Sequence, residues 1–157
     1  MMQKNPQTDV TALVLCGGKG SRMNSPTTHK VCFPIGGVPA ILRTLESLHL
    51  AGITKIVVVV GSMAGQVMDC VSEKYPDVGF VYQKTPLGTG DAARTGARFL
   101  RALGEKNPIL VCMGDKVIGP EVYHRAVTEY QENSCEAVYF AQPAECNPSG
   151  GRIVFGT

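Results

Sequence analysis

The sequence predicts an α/β fold, a three-layer sandwich in which helices cover both faces of a mostly parallel central sheet. Three observations carry this expectation. Apolar strand-like runs alternate with stretches of helical period along the chain, the pattern of strand–helix–strand crossover units. The run Ile56-Val57-Val58-Val59-Val60 is apolar at successive positions, so both its faces must be covered, as in a central parallel strand. The chain of 157 residues, 44% hydrophobic and 18% charged, has the length and balance of one domain with a filled core, spanning 1–157 with a polar tail over 1–9.

The expected strands, in order, are Thr11 to Cys16, Lys55 to Val60, Gly79 to Gln83, Ile109 to Met113, Glu136 to Ala141 and Arg152 to Phe155. Four helices fall between them. Pro39 to Leu50 places Ile41, Leu42, Leu45 and Leu48 on one face, with Gly52 as a C-terminal cap. Ala64 to Tyr75 repeats the period through Ala64, Val67, Val71 and Tyr75. A third helix starts at Thr89, and the small residues Ala92, Ala93, Gly96 and Ala97 on its inner side, with Leu100, allow close approach to the sheet. The fourth, Pro120 to Tyr130, has proline at its first position and turns Val122, Tyr123, Ala126, Val127 and Tyr130 inward.

Composition excludes several functions. Fifteen basic and thirteen acidic residues leave a formal charge of +2 with no clustered basic face, which argues against a nucleic-acid partner. The six cysteines are widely spaced without a C-x-x-C pair and read as small core hydrophobes in a reducing compartment. No apolar stretch approaches the ~20 residues of a membrane-spanning helix, and Val10 to Cys16 runs into a glycine-rich loop without the small-residue pattern of a signal cleavage site. A cytoplasmic location without membrane contact is the resulting expectation. The oligomeric state stays open.

Ligands of open parallel sheets bind outside the carboxyl ends of the strands. Directly after the first strand comes Leu15-Cys16-Gly17-Gly18-Lys19-Gly20-Ser21-Arg22-Met23, a glycine-rich loop ending in a cation and suited to wrapping backbone N–H groups around an anion. It is not a G-x-x-x-x-G-K-[ST] phosphate loop, because neither Gly17 nor Gly18 has a glycine five positions later. Nor is it a G-x-G-x-x-G dinucleotide fingerprint, because Met23 stands where the third glycine belongs. An ordinary strand-to-helix turn would not require Lys19, Arg22 and Lys30 within twelve residues.

Leu15 to Met23 with Lys30 resembles the opening motif L-A-A-G-x-G-T-R-M, followed by P-K, of the sugar-1-phosphate nucleotidyltransferases, nearest to the N-acetylglucosamine-1-phosphate uridylyltransferase domain. Two differences are visible: His29 replaces the proline before the lysine, and the segment between Arg22 and Lys30 is one residue longer. Gln83, Leu87, Gly88 and Thr89 resemble the family's Q-x-x-x-L-G-T stretch, which lies against the base. Asp115, after Gly114, resembles its metal-binding aspartate. Taken singly, Gln83 would be a solvated strand end and Asp115 a turn residue; together they follow the motif's order, each at the end of a strand. Pro148 to Val154 resembles P-x-G-Y-G-R-I without the tyrosine, and there Gly151 would meet the sugar. The family's domain continues beyond this point with more sugar contacts and a second metal-binding residue, so against that fold the chain reads as truncated at its C-terminus.

The resemblance implies the nucleotide-diphospho-sugar transferase (Rossmann-like) fold and transfer of a nucleotidyl group from a nucleoside triphosphate, UTP, to N-acetylglucosamine 1-phosphate, releasing pyrophosphate. Arg22 and Lys30 would be the catalytic cations, and Leu15, Gly17, Gly18, Gly20, Ser21, Gln83, Gly88 and Thr89 would hold the nucleotide. Mg²⁺ would bind Asp115. Both reactants are polyanions and the attacking phosphate oxygen, with a second pKa near ~6, is already ionised at neutral pH. No general base is required, so His49 and His124 are left as helix residues and His29 as a minor candidate for a phosphate contact. Two alternatives stand beside this reading: a nucleotide-binding module of the same fold without turnover, and a cytidylyl- or guanylyltransferase with another acceptor.

Overall fold

The computed structural model describes residues 7–18, 25, 27–141 and 143–146. Its centre is a four-stranded parallel sheet of β1 (Thr11–Cys16), β4 (Lys55–Val60), β5 (Gly79–Tyr82) and β6 (Ile109–Met113), in the order β5-β4-β1-β6. The two-residue strands β2 (Pro34–Ile35) and β3 (Val38–Pro39) form a separate hairpin. Its turn, Gly36-Gly37, has φ of +57° and +78°, the mirror-image geometry that two-residue hairpins demand.

Helices α1 (Ala40–Leu50), α2 (Ala64–Ser72) and α4 (Pro120–Glu132) cover one face, and α3 (Thr89–Ala102) covers the other. The alternation of side chains along a strand divides the core in two. Ala12, Val14, Cys16, Ile56, Val58 and Val60 pack with Ile41, Leu45, Leu48, Val67, Val71, Tyr123 and Val127, while Leu13, Leu15, Val57 and Val59 pack with Ala92 and Leu100. Gly96 of α3 lies so near Leu13 that an added methyl would overlap that side chain, so the small inner face of α3 does bring helix and sheet close together.

Four of the expected strands and all four helices are present, with small shifts at their ends. One expected strand is absent: Glu136–Ala141 forms none. Glu136, Ala137, Val138 and Phe140 instead line a cavity of about 220 Å³ whose opposite wall includes Ile109, Val111 and Val127. That gap takes the place of a ladder on the β6 edge. Tyr139 is exposed and Phe140 meets Tyr123 edge-on with 6.0 Å between ring centroids, so alternation there reflects side-chain packing without pairing. Val122, expected inward, is exposed. The run Arg152–Phe155 lies outside the described residues.

Candidate functional site

Register places the site. β1 pairs with β4 so that Cys16 faces Val60, with β6 so that Leu15 faces Met113, and β4 pairs with β5 so that Val60 faces Tyr82. The residues following each strand, Gly17, Gly61, Gln83 and Gly114, therefore meet along one edge. The chain leaves β1 toward β4 on one side and returns from β5 to β6 on the other, so β1 is the topological switch point where a crevice opens.

Two backbone hydrogen bonds extend the sheet into this edge: Gln83 N–H donates to the Val60 carbonyl at 2.7 Å, and Gly114 N–H to the Leu15 carbonyl at 3.1 Å. Packing there leaves no room for side chains. A Cβ on Gly61 would lie 2.5 Å from the Gly17 carbonyl oxygen, and a methyl on Gly17 would overlap the Gln83 amide oxygen. A methyl on Gly114 would overlap Cys16 Sγ, so the residue before Asp115 must be small.

Leu15, Gly17, Gly18, Lys30, Gln83, Gly88 and Thr89 line one cleft of about 420 Å³, together with Pro86, Ala92 and Met113. That volume falls within the range of small-molecule sites. Gly88, with φ of +103°, precedes the first residue of α3 in a conformation that favours glycine. Gln83 is buried; its Nε2 donates to Asp91 Oδ2 at 2.8 Å, and Asp91 Oδ1 accepts from Arg94 Nη2 at 2.9 Å. These hydrogen bonds, Gln83's first, hold the Asp91 carboxyl below the usual carboxylate range.

Lys30 starts a 3-10 turn, Lys30–Cys32, and its Nζ lies 2.9 Å from Asp115 Oδ2. Asp115 Oδ1 is buried and accepts no hydrogen bond. His29 sets up this turn. Val31 N–H donates to its Nδ1 at 3.3 Å, which leaves the proton on Nε2 for the Gly18 carbonyl at 3.2 Å. Its ring is buried, and burial holds its pKa below 6.5. Both nitrogens are thus engaged inside the protein, and the phosphate contact considered for His29 gives way to a clamp on the glycine-rich loop. Gln66 of α2 fastens the same segment, accepting from His29 N–H at 2.8 Å and donating to the Thr27 carbonyl at 2.6 Å.

Of the residues singled out by sequence, Leu15, Gly17, Gly18, Lys30, Gln83, Gly88, Thr89 and Asp115 are brought together at one end of the sheet. Gly20, Ser21, Arg22 and Gly151 lie outside the described residues. Sequence reasoning missed Asp91, Gly61 and Gln66. For Asp91 a signal existed: a carboxylate in the first turn of the helix that opens with Gly88-Thr89. Among the described residues no three His, Cys, Asp or Glu side chains gather as a metal cluster, and no helix is long and apolar enough to cross a membrane. All six cysteines are free.

Residues 12–152 match the family described as the MobA-like NTP transferase domain. The chain is 33% identical over 131 residues to the bifunctional protein GlmU of Symbiobacterium thermophilum, covering 83% of this chain and 27% of that protein. It is 32% identical over 153 residues to the bifunctional protein GlmU of Geobacter metallireducens, covering 94% of this chain and 30% of that one. The chain therefore spans under a third of the length of these relatives. A nucleotidyl transferase structure from Methanothermobacter superposes with a TM-score of 0.56 at 25% identity, over 76% of this chain and 56% of that one.

Proposed function

The chain belongs to the family of MobA-like NTP transferase domains, and from that premise we propose that it carries the nucleotide half of a sugar-1-phosphate nucleotidyltransferase site within a single domain. The reaction is transfer of a nucleotidyl group from UTP to N-acetylglucosamine 1-phosphate with release of pyrophosphate. The observation that carries this reading is the shared cleft: Leu15, Gly17, Gly18, Gln83, Gly88 and Lys30 line one cavity, with Asp115 bonded to Lys30 at its side.

In this reading the Gln83 amide, which donates and accepts at once, reads the base edge. Gly88 and Thr89 back it, and Leu15, Gly17 and Gly18 form the floor. Gly20, Ser21, Arg22 and Lys30 hold the triphosphate, and Gly151 meets the acceptor sugar. Such catalysis rests on positioning and on cationic stabilisation of charge at phosphorus. Lys30 holds its ammonium beside Gly18 and neutralises oxygens of the triphosphate; no residue needs to remove a proton from an acceptor phosphate already ionised at neutral pH.

Asp115 fits a role as a Mg²⁺ ligand, because Oδ1 is a buried carboxylate oxygen without a partner and hard cations take oxygen donors. One protein carboxylate suffices where phosphates and waters complete the shell. When bound, the ion supplies charge neutralisation at the phosphate oxygens. A cytoplasmic location belongs to this reading and is supported by the six free thiols.

The test is pyrophosphate release with Mg²⁺, N-acetylglucosamine 1-phosphate and each of UTP, CTP, GTP and ATP, beside the melting shift each nucleotide produces. A nucleotide at about 100 times its dissociation constant adds ~2.7 kcal/mol of stability. Release and the largest shift with UTP are expected. No release and no shift with any nucleotide would overturn the reading, and a larger effect of CTP or GTP would move it to another base.

A further inference from the structure

The carboxamide of Gln83 can be inserted in two ways, related by a half-turn that exchanges oxygen and nitrogen. In a buried site the surrounding partners decide between them. Here the partner is Asp91: its Oδ2 lies 2.8 Å from Gln83 Nε2, and its other oxygen is taken by Arg94. An ionised carboxylate only accepts hydrogen bonds. Turning the amide over would set two oxygens against each other at that distance, so the nitrogen is held on the Asp91 side. Asp91 is also favoured as an anion by its place in the first turn of α3.

The consequence lies at the cleft. Gln83 Oε1 sits on the Gly17 side, close enough that a methyl on Gly17 would overlap it. The second Nε2 hydrogen faces the Gly88 carbonyl across a loose 3.5 Å, an interaction a ligand carbonyl can replace. Gly17, Gly88 and Gln83 all line the cleft, whereas Asp91 does not. Asp91 therefore acts only through Gln83, fixing where the amide accepts and where it donates.

We propose that Asp91 is a positioning residue that locks the Gln83 amide and so selects a pyrimidine with a donor at N3 and an acceptor at C4 over one with that order reversed. Uracil and thymine carry the first pattern; cytosine, with an accepting N3 and a donating 4-amino group, carries the second. An amide free to turn could serve either base in the same pose, and an amide held by an acceptor-only neighbour serves one. This proposal rests on the reading of Gln83 as the base-recognising residue.

The experiment compares dissociation constants of UTP and CTP, by calorimetry with Mg²⁺, for the unaltered chain, Asp91→Asn, Asp91→Glu and Gln83→Ala. Asparagine donates as well as accepts, so it allows the amide to turn. The UTP-over-CTP preference is expected to fall about tenfold in Asp91→Asn, the effect of one mismatched hydrogen bond. Asp91→Glu, still acceptor-only, keeps most of the preference, and Gln83→Ala abolishes it. An unchanged ratio in Asp91→Asn, equal weakening of both nucleotides, or a loss in Asp91→Glu as large as in Asp91→Asn overturns the role of Asp91. If Gln83→Ala at the same time abolishes the preference, the reading of Gln83 stands alone. A chain without preference, or one whose preference survives Gln83→Ala, overturns both.

Discussion

Lys30 Nζ and Asp115 Oδ2 lie 2.9 Å apart although 85 positions separate them in the chain. Their side chains are only 20% and 30% exposed and one Asp115 oxygen is buried, so the cost of withdrawing both charges from water offsets much of their attraction and the pair is weak evidence for stability. Its meaning is chemical. The cation and the carboxylate hold each other in place beside the cleft, and under the proposed function a triphosphate would offer Lys30 a competing anion and leave Asp115 free to bind a cation.

Asp115→Asn keeps the side chain's shape and removes the charge a hard cation prefers. Folding is expected to survive, and the Mg²⁺-dependent part of UTP binding to be lost. A calorimetric titration of UTP at rising Mg²⁺ measures this, and a titration matching the unaltered chain would remove Asp115 from the metal site.

Gly17→Ala separates fold from function. The added methyl meets the amide oxygen at the end of the flexible Gln83 side chain, which can move without disturbing the sheet. Stability should fall by about 1–2 kcal/mol, because the displaced amide loosens its hydrogen bond to Asp91 while the strands themselves are not crowded. UTP affinity should drop about tenfold as the displaced amide loses one well-placed hydrogen bond. Urea unfolding beside calorimetry checks both, and undiminished affinity would show that the amide is not the base reader.

Gly96→Ala sets propensity against packing. Alanine in a helix interior gains about 1 kcal/mol over glycine. Against this, the new Cβ would lie 2.7 Å from Leu13 Cδ2 and 2.9 Å from Leu13 Cγ, in a side chain with no exposed surface. Overpacking of this kind costs about 1–3 kcal/mol, and the branch point of Leu13 cannot swing clear. The expected result is a lower urea midpoint; a raised midpoint would show that α3 and β1 can move apart at little cost.

His29 gives the fold a pH dependence. Burial holds its folded pKa below the 6.5 of the free side chain, so the unfolded chain takes up this proton first as pH falls. Stability from His29 is complete above 6.5 and declines below it, toward the lowered folded value, by at most about 1.4 kcal/mol per pH unit. Asp91 and Glu105, whose carboxyls are held below their usual range by hydrogen bonds from Gln83 and from the Asn107 backbone first, act only in more acidic solution. Urea midpoints from pH 7.5 to 5.5 should fall for the unaltered chain and stay flatter for His29→Gln. Equal slopes would mean that the ring is free to protonate in the folded protein.

The fold was largely readable from local pattern. An unbroken apolar run such as Ile56–Val60 demands cover on both faces, and helical periodicity with Pro120 or Gly52 at its ends supplies that cover. Such signals depend on a residue and its near neighbours. The same holds for the site's location, since parallel strands put Gly17, Gln83 and Asp115 on their carboxyl ends whatever the order of the sheet.

Partnership was decided by tertiary structure alone. The pairing of Lys30 with Asp115 requires β1 and β6 to be adjacent and in register, and the grip of His29 on Gly18 requires two residues eleven positions apart to meet at the end of β1. Asp91 meets Gln83 only because α3 begins just above the end of β5. Glu136–Ala141 carries the apolar content of a strand, yet a strand exists only where a neighbouring backbone offers hydrogen bonds, and here a cavity intervenes. Hydrophobic pattern is local and non-directional, so it is legible along the chain. Hydrogen bonds and ion pairs are directional and act over about 3 Å, so their partners are settled only when register and packing bring distant residues to that distance.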